Sequence, residues 1–276
     1  TRMAPPPLKR RGGAPGKVSE RRLQQVFLVG EPRVELRVFA GAEELATAAA
    51  EEFAARAHDA VSRRGRFTAV LPGGSGPIRF FEILAGRKSG IRWSRVHVFW
   101  GDERFVPPAH PESNFRTAQE TLLAHVPIPQ ANVHRIRTES LSPDAAAAIY
   151  EQEIRTFFRL PAGRFPRFDL VVLGLGADGH TASLFPGSEA VTEDVRMVVA
   201  ALIARLGTHR ITLTLPVFNS ARAVMFLVSG KQKAEALARA LEGGEGSEGL
   251  PAPLVRPRRG PLLWMVDRAA SGLLRR

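Results

Sequence analysis

The 276-residue chain contains no cysteine. Disulfides, thiolate nucleophiles and cysteine-held metal ions are therefore excluded. No apolar run approaches the ~18 residues of a membrane span, so no membrane association is expected. The N-terminus is basic and proline-rich, without the apolar core of a secretory signal, so no signal peptide is expected, and the lack of cysteine fits the expected cytoplasmic setting. HExxH and acidic metal-ligand clusters are missing, so neither metal nor cofactor is expected. GxSxG is missing too, and with it the strained serine elbow of many esterases.

What is present is an ordinary globular balance, 44% hydrophobic and 24% charged. The net charge of +12 would suit a nucleic-acid binder, but it is unevenly placed. Residues 1–37 hold a surplus of 6 positive charges and residues 251–276 a surplus of 5, which leaves the middle almost neutral. No aromatic–basic motif accompanies these ends, so no nucleic-acid partner is expected. Residues 1–30, with APPP, the basic triplet Lys9 to Arg11 and GGAPG, read as a disordered extension. Residues 31–276 read as a single α/β domain, expected as a monomer.

From Val34 onward, strand and helix patterns alternate. Strands are predicted at VELRVF, FTAVLP (67–72), RVHVFW (95–100), FDLVVLGLG (168–176), ITLTL (211–215), AVMFLVSG (223–230) and PLLWMVD (261–267), the last leading into a short helix. Helices are predicted over 42–60, 114–124, 143–159 and 231–242, with Ser113 or Asn114 capping the second. This order indicates a mostly parallel, doubly wound sheet flanked by helices, Rossmann-like in architecture. Ligands of such sheets bind beyond the carboxyl ends of the strands.

Three segments lie at such ends, and a fourth carries basic residues at strand ends of both kinds. LPGGSGP offers Gly73, Gly74 and Ser75 before a helix N-terminus opened by Pro77, either a phosphate loop or a plain tight turn. WGDERFVP places Asp102, Glu103 and Arg104 together, either a phosphate contact through Arg104 or a surface salt-bridge cluster. LGLGADGHTASLFPG brings Asp178, Gly179 and His180 directly off an apolar strand. A near-neutral imidazole on a glycine-rich loop suits a general base. Asp178 either orients that ring or shapes the turn. Arg210 before one strand and Lys231 and Lys233 after another are either anion contacts or solvated charge.

In order, GGS-x-P, GDER-x-VP followed by SN, LG-x-G-x-DGHTASLFPG, RIT-x-T and G-x-x-K resemble the 6-phosphogluconolactonase family over roughly residues 34–270. The resemblance implies a fold shared with glucosamine-6-phosphate deaminases and a place in the oxidative pentose phosphate pathway. It implies a catalytic His180, phosphate contacts from Arg104 and the Gly73–Gly74–Ser75 turn, and further basic contacts from Arg210 and Lys233. The implied reaction is hydrolysis of 6-phospho-D-glucono-1,5-lactone, with the sugar-phosphate lactone as sole partner. Two departures stand out. Gly76 replaces a hydroxyl-bearing residue common in the family, and RLGTH before Arg210 replaces a proline-containing approach.

Two other functions compete. A sugar-phosphate isomerase or deaminase also carries a DGH loop, but follows it with a segment like IAFNEP, whose acidic residue aligns with Phe185 here. A non-catalytic sugar-phosphate sensor would carry a DNA-binding helix-turn-helix, for which the proline-rich stretch before Val34 is too short.

Overall fold

The computed structural model describes residues 27–29, 34–86, 90–140, 142–203, 207–244 and 246–275. Its strands are β1 (Phe27–Val29), β2 (Val34–Phe39), β3 (Phe67–Leu71), β4 (Val96–Trp100), β5 (Asp102–Arg104) and β6 (Val133–His134). They continue with β7 (Leu170–Gly174), β8 (Val198–Ile203), β9 (Thr208–Leu213), β10 (Val224–Val228) and β11 (Leu262–Asp267). The helices are α1 (Ala42–Arg64), α2 (Ile78–Gly86), α3 (Asn114–Thr121), α4 (Pro143–Phe158), α5 (Glu189–Thr192), α6 (Leu215–Ser220) and α7 (Ala234–Glu242).

Helix boundaries follow local chemistry. α1 is alanine-rich, with Glu43 and Glu44 in its first turn and Arg63 and Arg64 in its last, matching the helix dipole. The Glu44 carboxylate accepts from Ala40 N at 2.8 Å, and Gly65 ends the helix at φ 75°. Ser142 caps α4 by accepting from Ala145 N, and Pro143 occupies its first turn.

The main sheet runs β1-β2-β11-β10-β7-β3-β4-β6. From β2 to β6 all pairings are parallel; only β1 is antiparallel, with Phe27 opposite Leu36. Regular structure thus begins inside the segment assigned to the extension, whose remaining residues lie outside those described. The chain builds outward from β3 through β4 to β6, then returns to β7 on the other side of β3. This reversal is a topological switch point, where crossovers diverge and leave a crevice at the strand ends.

β3 is buried along its whole length. Phe53 of α1 meets Phe67 edge-on at 5.1 Å and Phe80 of α2 at 5.9 Å. Phe99, Phe158 and Phe168 form a second aromatic cluster beside β4. Burying each such ring contributes roughly 1.5–3 kcal/mol.

The ITLT segment departs from the expected parallel pattern. β9 pairs antiparallel with β5 and with β8 in a separate three-stranded sheet. β8, the apolar run VVAALI, is not among the predicted strands; α4 packs against it and against β9. The helix expected after β11 is replaced by turns over 268–274. There the Asp267 carboxylate accepts from Ala270 N at 2.7 Å and also from Gly230 N, which bends the chain back. No helix among the described residues is long and apolar enough to cross a membrane.

Candidate active site

The GGS turn leaves β3 at the switch point. Gly74 adopts φ 78°, a left-handed conformation that glycine takes without strain. A Cβ on Gly73 would overlap the Asn114 amide, so the backbone must be bare there. Asn114 clamps the turn: its Oδ1 accepts from Gly74 N at 3.1 Å, and its Nδ2 donates to Asp102 O at 2.9 Å. Ser75 lies exposed at the turn's tip.

GDER forms β5 and is no surface salt-bridge cluster. Asp102 and Glu103 are buried. Glu103 accepts from Asn114 N (2.7 Å), Phe115 N (2.8 Å) and the Ser113 hydroxyl (3.1 Å), and so holds the N-terminus of α3. Burial pushes its carboxyl up, and the backbone N–H donors pull the other way. Asp102 Oδ2 accepts from the Ser183 hydroxyl at 2.6 Å, which ties the histidine loop to β5.

Arg104 stands opposite Arg210 in the β5–β9 register. Arg104 Nη1 donates to Glu112 O at 2.6 Å, but the Nε atoms of Arg104 and Arg210 are both buried without a hydrogen-bond partner. Burial, and then the Arg104 charge, lower the Arg210 pKa. Two guanidinium groups in register, each with an unsatisfied buried donor, have the chemistry to accept an anion.

The histidine loop leaves β7 through a tight turn. Gly176 N donates to His180 O (2.7 Å) and Gly179 N to Gly176 O (3.0 Å), with Gly179 at φ 85°. Asp178 Oδ1 sits 2.5 Å from His180 Nδ1 and 3.2 Å from His180 N. Asp178 therefore shapes the turn and orients the ring, so both roles open in the sequence are combined. Phe185 stacks on the imidazole at 4.3 Å, and the ring remains about one third exposed. Ala182, at φ 49°, is one of two non-glycine residues in the left-handed region among those described. Ser183 N then donates to Thr212 Oγ1 of β9 at 3.3 Å, which anchors the far side of the loop.

Lys233 ends the short turn Lys231–Lys233 after Gly230. The turn is held by Asp267, which accepts from the Ser229 hydroxyl at 2.5 Å and Gly230 N at 3.1 Å. Burial lowers the Lys233 pKa, and the Asp178 charge opposes that, so its ammonium is coupled to the partner of His180.

The sequence-predicted residues thus fall into three linked groups. Asp178 and His180 are in contact, and Lys233 lies within the field of Asp178; Arg104 and Arg210 stand in register; and Asn114, Asp102 and Ser183 join the Gly73–Gly74–Ser75 turn to the histidine loop. Asn114 and Ser183 have no such role in the sequence reading. Ser113, not Asn114, caps α3, and the SN pair after GDER was the available signal. Among the described residues no group of three or more His, Asp or Glu side chains is placed to hold a metal ion.

A doubly wound sheet with a histidine–aspartate pair on the loop that leaves β7 beside its switch point is the architecture of an α/β enzyme. The family described as glucosamine-6-phosphate isomerases/6-phosphogluconolactonase matches residues 40–264. The chain belongs to that family and is an enzyme of the 6-phosphogluconolactonase type. It is 43% identical over 216 residues to the 6-phosphogluconolactonase of Synechocystis sp., covering 78% of this chain and 88% of the relative. The crystal structure of 6-phosphogluconolactonase from Thermotoga maritima is similar at a TM-score of 0.73 and 30% identity, over 85% of this chain and 100% of that one. A monomeric glucosamine-6-phosphate deaminase shares the fold at a TM-score of 0.71 and 20% identity, over 86% and 99% of the two chains.

Proposed function

We propose that the chain hydrolyses 6-phospho-D-glucono-1,5-lactone to 6-phospho-D-gluconate, with His180 as general base, as a step of the oxidative pentose phosphate pathway. The observation that carries the mechanism is the 2.5 Å Asp178–His180 contact. An ionised Asp178 accepts from Nδ1–H, which leaves the lone pair on Nε2. Nε2 takes a proton from water as the water oxygen attacks the lactone carbonyl carbon. The tetrahedral intermediate then collapses, the bond to the ring oxygen breaks, and the imidazolium returns the proton to that oxygen. Asp178 stabilises the transient positive charge on the ring.

The phosphate dianion is assigned to the Arg104–Arg210 pair, whose Nε donors lack partners, together with the GGS turn. Lys233, coupled to Asp178, adds to the cationic wall. The isomerase or deaminase reading lacks an acid where Phe185 stacks on His180.

The test follows acid release from freshly generated 6-phosphogluconolactone above its spontaneous hydrolysis. His180→Ala should lower the rate by roughly 10²–10⁴-fold while the fold is retained. A folded variant within a few-fold of the parent would remove His180 as the base. No catalysis by the parent would overturn the lactonase reading itself.

A further inference from the structure

The opposite end of the main sheet carries a cavity of about 560 Å³. Its walls come from the segments that start β3, β4, β7 and β10, whereas His180 lies beyond the carboxyl end of β7. Five arginines line it: Arg64, Arg66, Arg95, Arg167 and Arg222. The only carboxylate among the lining residues is Asp169, so five positive charges face one negative.

That carboxylate is already engaged. Asp169 Oδ2 accepts from Thr68 N and from the Thr68 hydroxyl, each at 2.9 Å. Its Oδ1 accepts from Arg64 Nε at 3.0 Å and lies 3.3 Å from Arg222 Nε, which is buried and makes no hydrogen bond. Arg95 and Arg167 are exposed and have no ion-pair partner among the described residues. Arg66 lies over the Phe157 ring at 4.5 Å. Burial pushes His97 down to about 4, so it stays neutral in this wall at neutral pH. The Arg167 and Arg64 charges add to burial in lowering the Arg222 pKa.

Arginines on α1, α3 and α4 are paired instead. Arg56, Arg63, Arg116 and Arg155 each pair with a carboxylate one helical turn away. Arg64 and Arg222 share Asp169, which leaves Arg66, Arg95 and Arg167 without an ion-pair partner among the described residues; like charge gathered in this way favours a bound anion.

We propose that this cleft is a second anion site, separate from the lactone site, which takes a small ligand carrying two or more linked phosphate groups. Asp59 pairs with Arg64 from outside the cavity at 3.9 Å, so the surplus is three positive charges, still more than one phosphate dianion neutralises. Guanidinium forks match phosphate oxygens in pairs. The cavity volume lies within the range of about 300–1,000 Å³ typical of small-molecule sites, which favours a compact ligand over a polymer backbone. Phe158 and the planar Arg66 guanidinium add surfaces against which a nucleobase can stack.

Calorimetric titration of the full chain with inorganic pyrophosphate, ADP and adenosine tests this at low, fixed salt. Pyrophosphate and ADP should bind one per chain, and adenosine should not. Tighter binding of ADP identifies a nucleotide ligand, and equal binding identifies inorganic oligophosphate; both support the site. The double variant Arg95→Ser/Arg167→Ser should weaken pyrophosphate binding by roughly tenfold or more, with lactone hydrolysis unchanged and a melting temperature no lower than the parent's, because like charge is removed. Arg104→Ser should leave pyrophosphate binding intact. Absence of pyrophosphate binding would overturn the proposal. So would loss of binding in Arg104→Ser but not in the double variant, because that places the anion in the lactone site. A single-stranded RNA 20-mer that binds more tightly than ADP and is lost in the double variant would reassign the surface to nucleic acid.

Discussion

Gly176→Ala probes the site without touching a reacting group. A Cβ at this position would overlap His180 Nδ1 and lie 2.5 Å from Asp178 Oδ1. Neither atom can yield independently, since their mutual 2.5 Å contact defines the ring's orientation. Clearing the new methyl to an ordinary contact near 3.4 Å requires more than 1 Å of displacement at the ring or the backbone. A misplacement of that size costs on the order of 10²-fold in rate, about 2.7 kcal/mol of transition-state stabilisation. Gly176 is not among the glycines with positive φ, so backbone strain adds nothing to the effect. The phosphate contacts are untouched. Initial-rate acid release should therefore show kcat reduced roughly 100-fold with KM little changed. Gly174→Ala is the paired control, because a Cβ there meets nothing within 4 Å. A Gly176→Ala enzyme with kcat within threefold of the parent would refute the reasoning. A large drop in melting temperature shared by both variants would do so as well, by showing that general loop disruption is the cause.

Arg104→Lys should raise KM for the phosphorylated lactone by about tenfold, the size of one charge-assisted hydrogen bond. Hydrolysis of unphosphorylated gluconolactone should change far less, and equal proportional losses on the two substrates would remove Arg104 from the phosphate site. His97 gives a pH prediction: its folded pKa is lowered from 6.5 to about 4 by burial, with His134 and Arg66 adding to the shift. Between those values the unfolded chain binds the extra proton, so this residue makes stability fall as pH drops from 6.5 toward 4. His97→Gln should therefore narrow the difference in melting temperature between pH 7.5 and pH 4.5, and an unchanged difference would show that His97 is not the group responsible.

The parallel sheet was legible because its strands are short apolar runs that end in glycine or polar loops, as at Leu170–Gly174 and Val224–Val228. The small antiparallel sheet was not. β5 has only three residues, all polar, and no apolar pattern marks it. β8 and β9 are joined through 204–207, where no turn signature of the two-residue hairpin type appears. The site residues on loops were legible one by one, since glycine spacing around His180 and after Leu71 announces tight turns. Their connection was not. Asn114 lies 40 residues from Gly74, and Ser183 lies 81 from Asp102. Such contacts arise from the order of strands in space, which local pattern does not encode.

The same contacts explain why the arginines of this site remain available to an anion. In sequence, Asp102, Glu103, Arg104 and Glu112 look like mutually neutralising neighbours. In space the two buried carboxylates take other donors. Glu103 is filled by three backbone N–H groups and the Ser113 hydroxyl, one of those N–H groups being that of Arg104 itself. Asp102 takes the Ser183 hydroxyl. Alternation along β5 sends Glu103 to the face opposite Asp102 and Arg104, toward α3. Glu112 offers Arg104 its carbonyl oxygen and no ion pair. Neutral donors satisfy the acids, so no carboxylate caps the Nε atoms of Arg104 and Arg210. Replacing the Ser183 hydroxyl or the Asn114 clamp would free Asp102 to turn toward Arg210, whose charge it already senses. The polar network around β5 thus leaves the Nε atoms of Arg104 and Arg210 without a carboxylate partner, which is what the proposed phosphate contact requires.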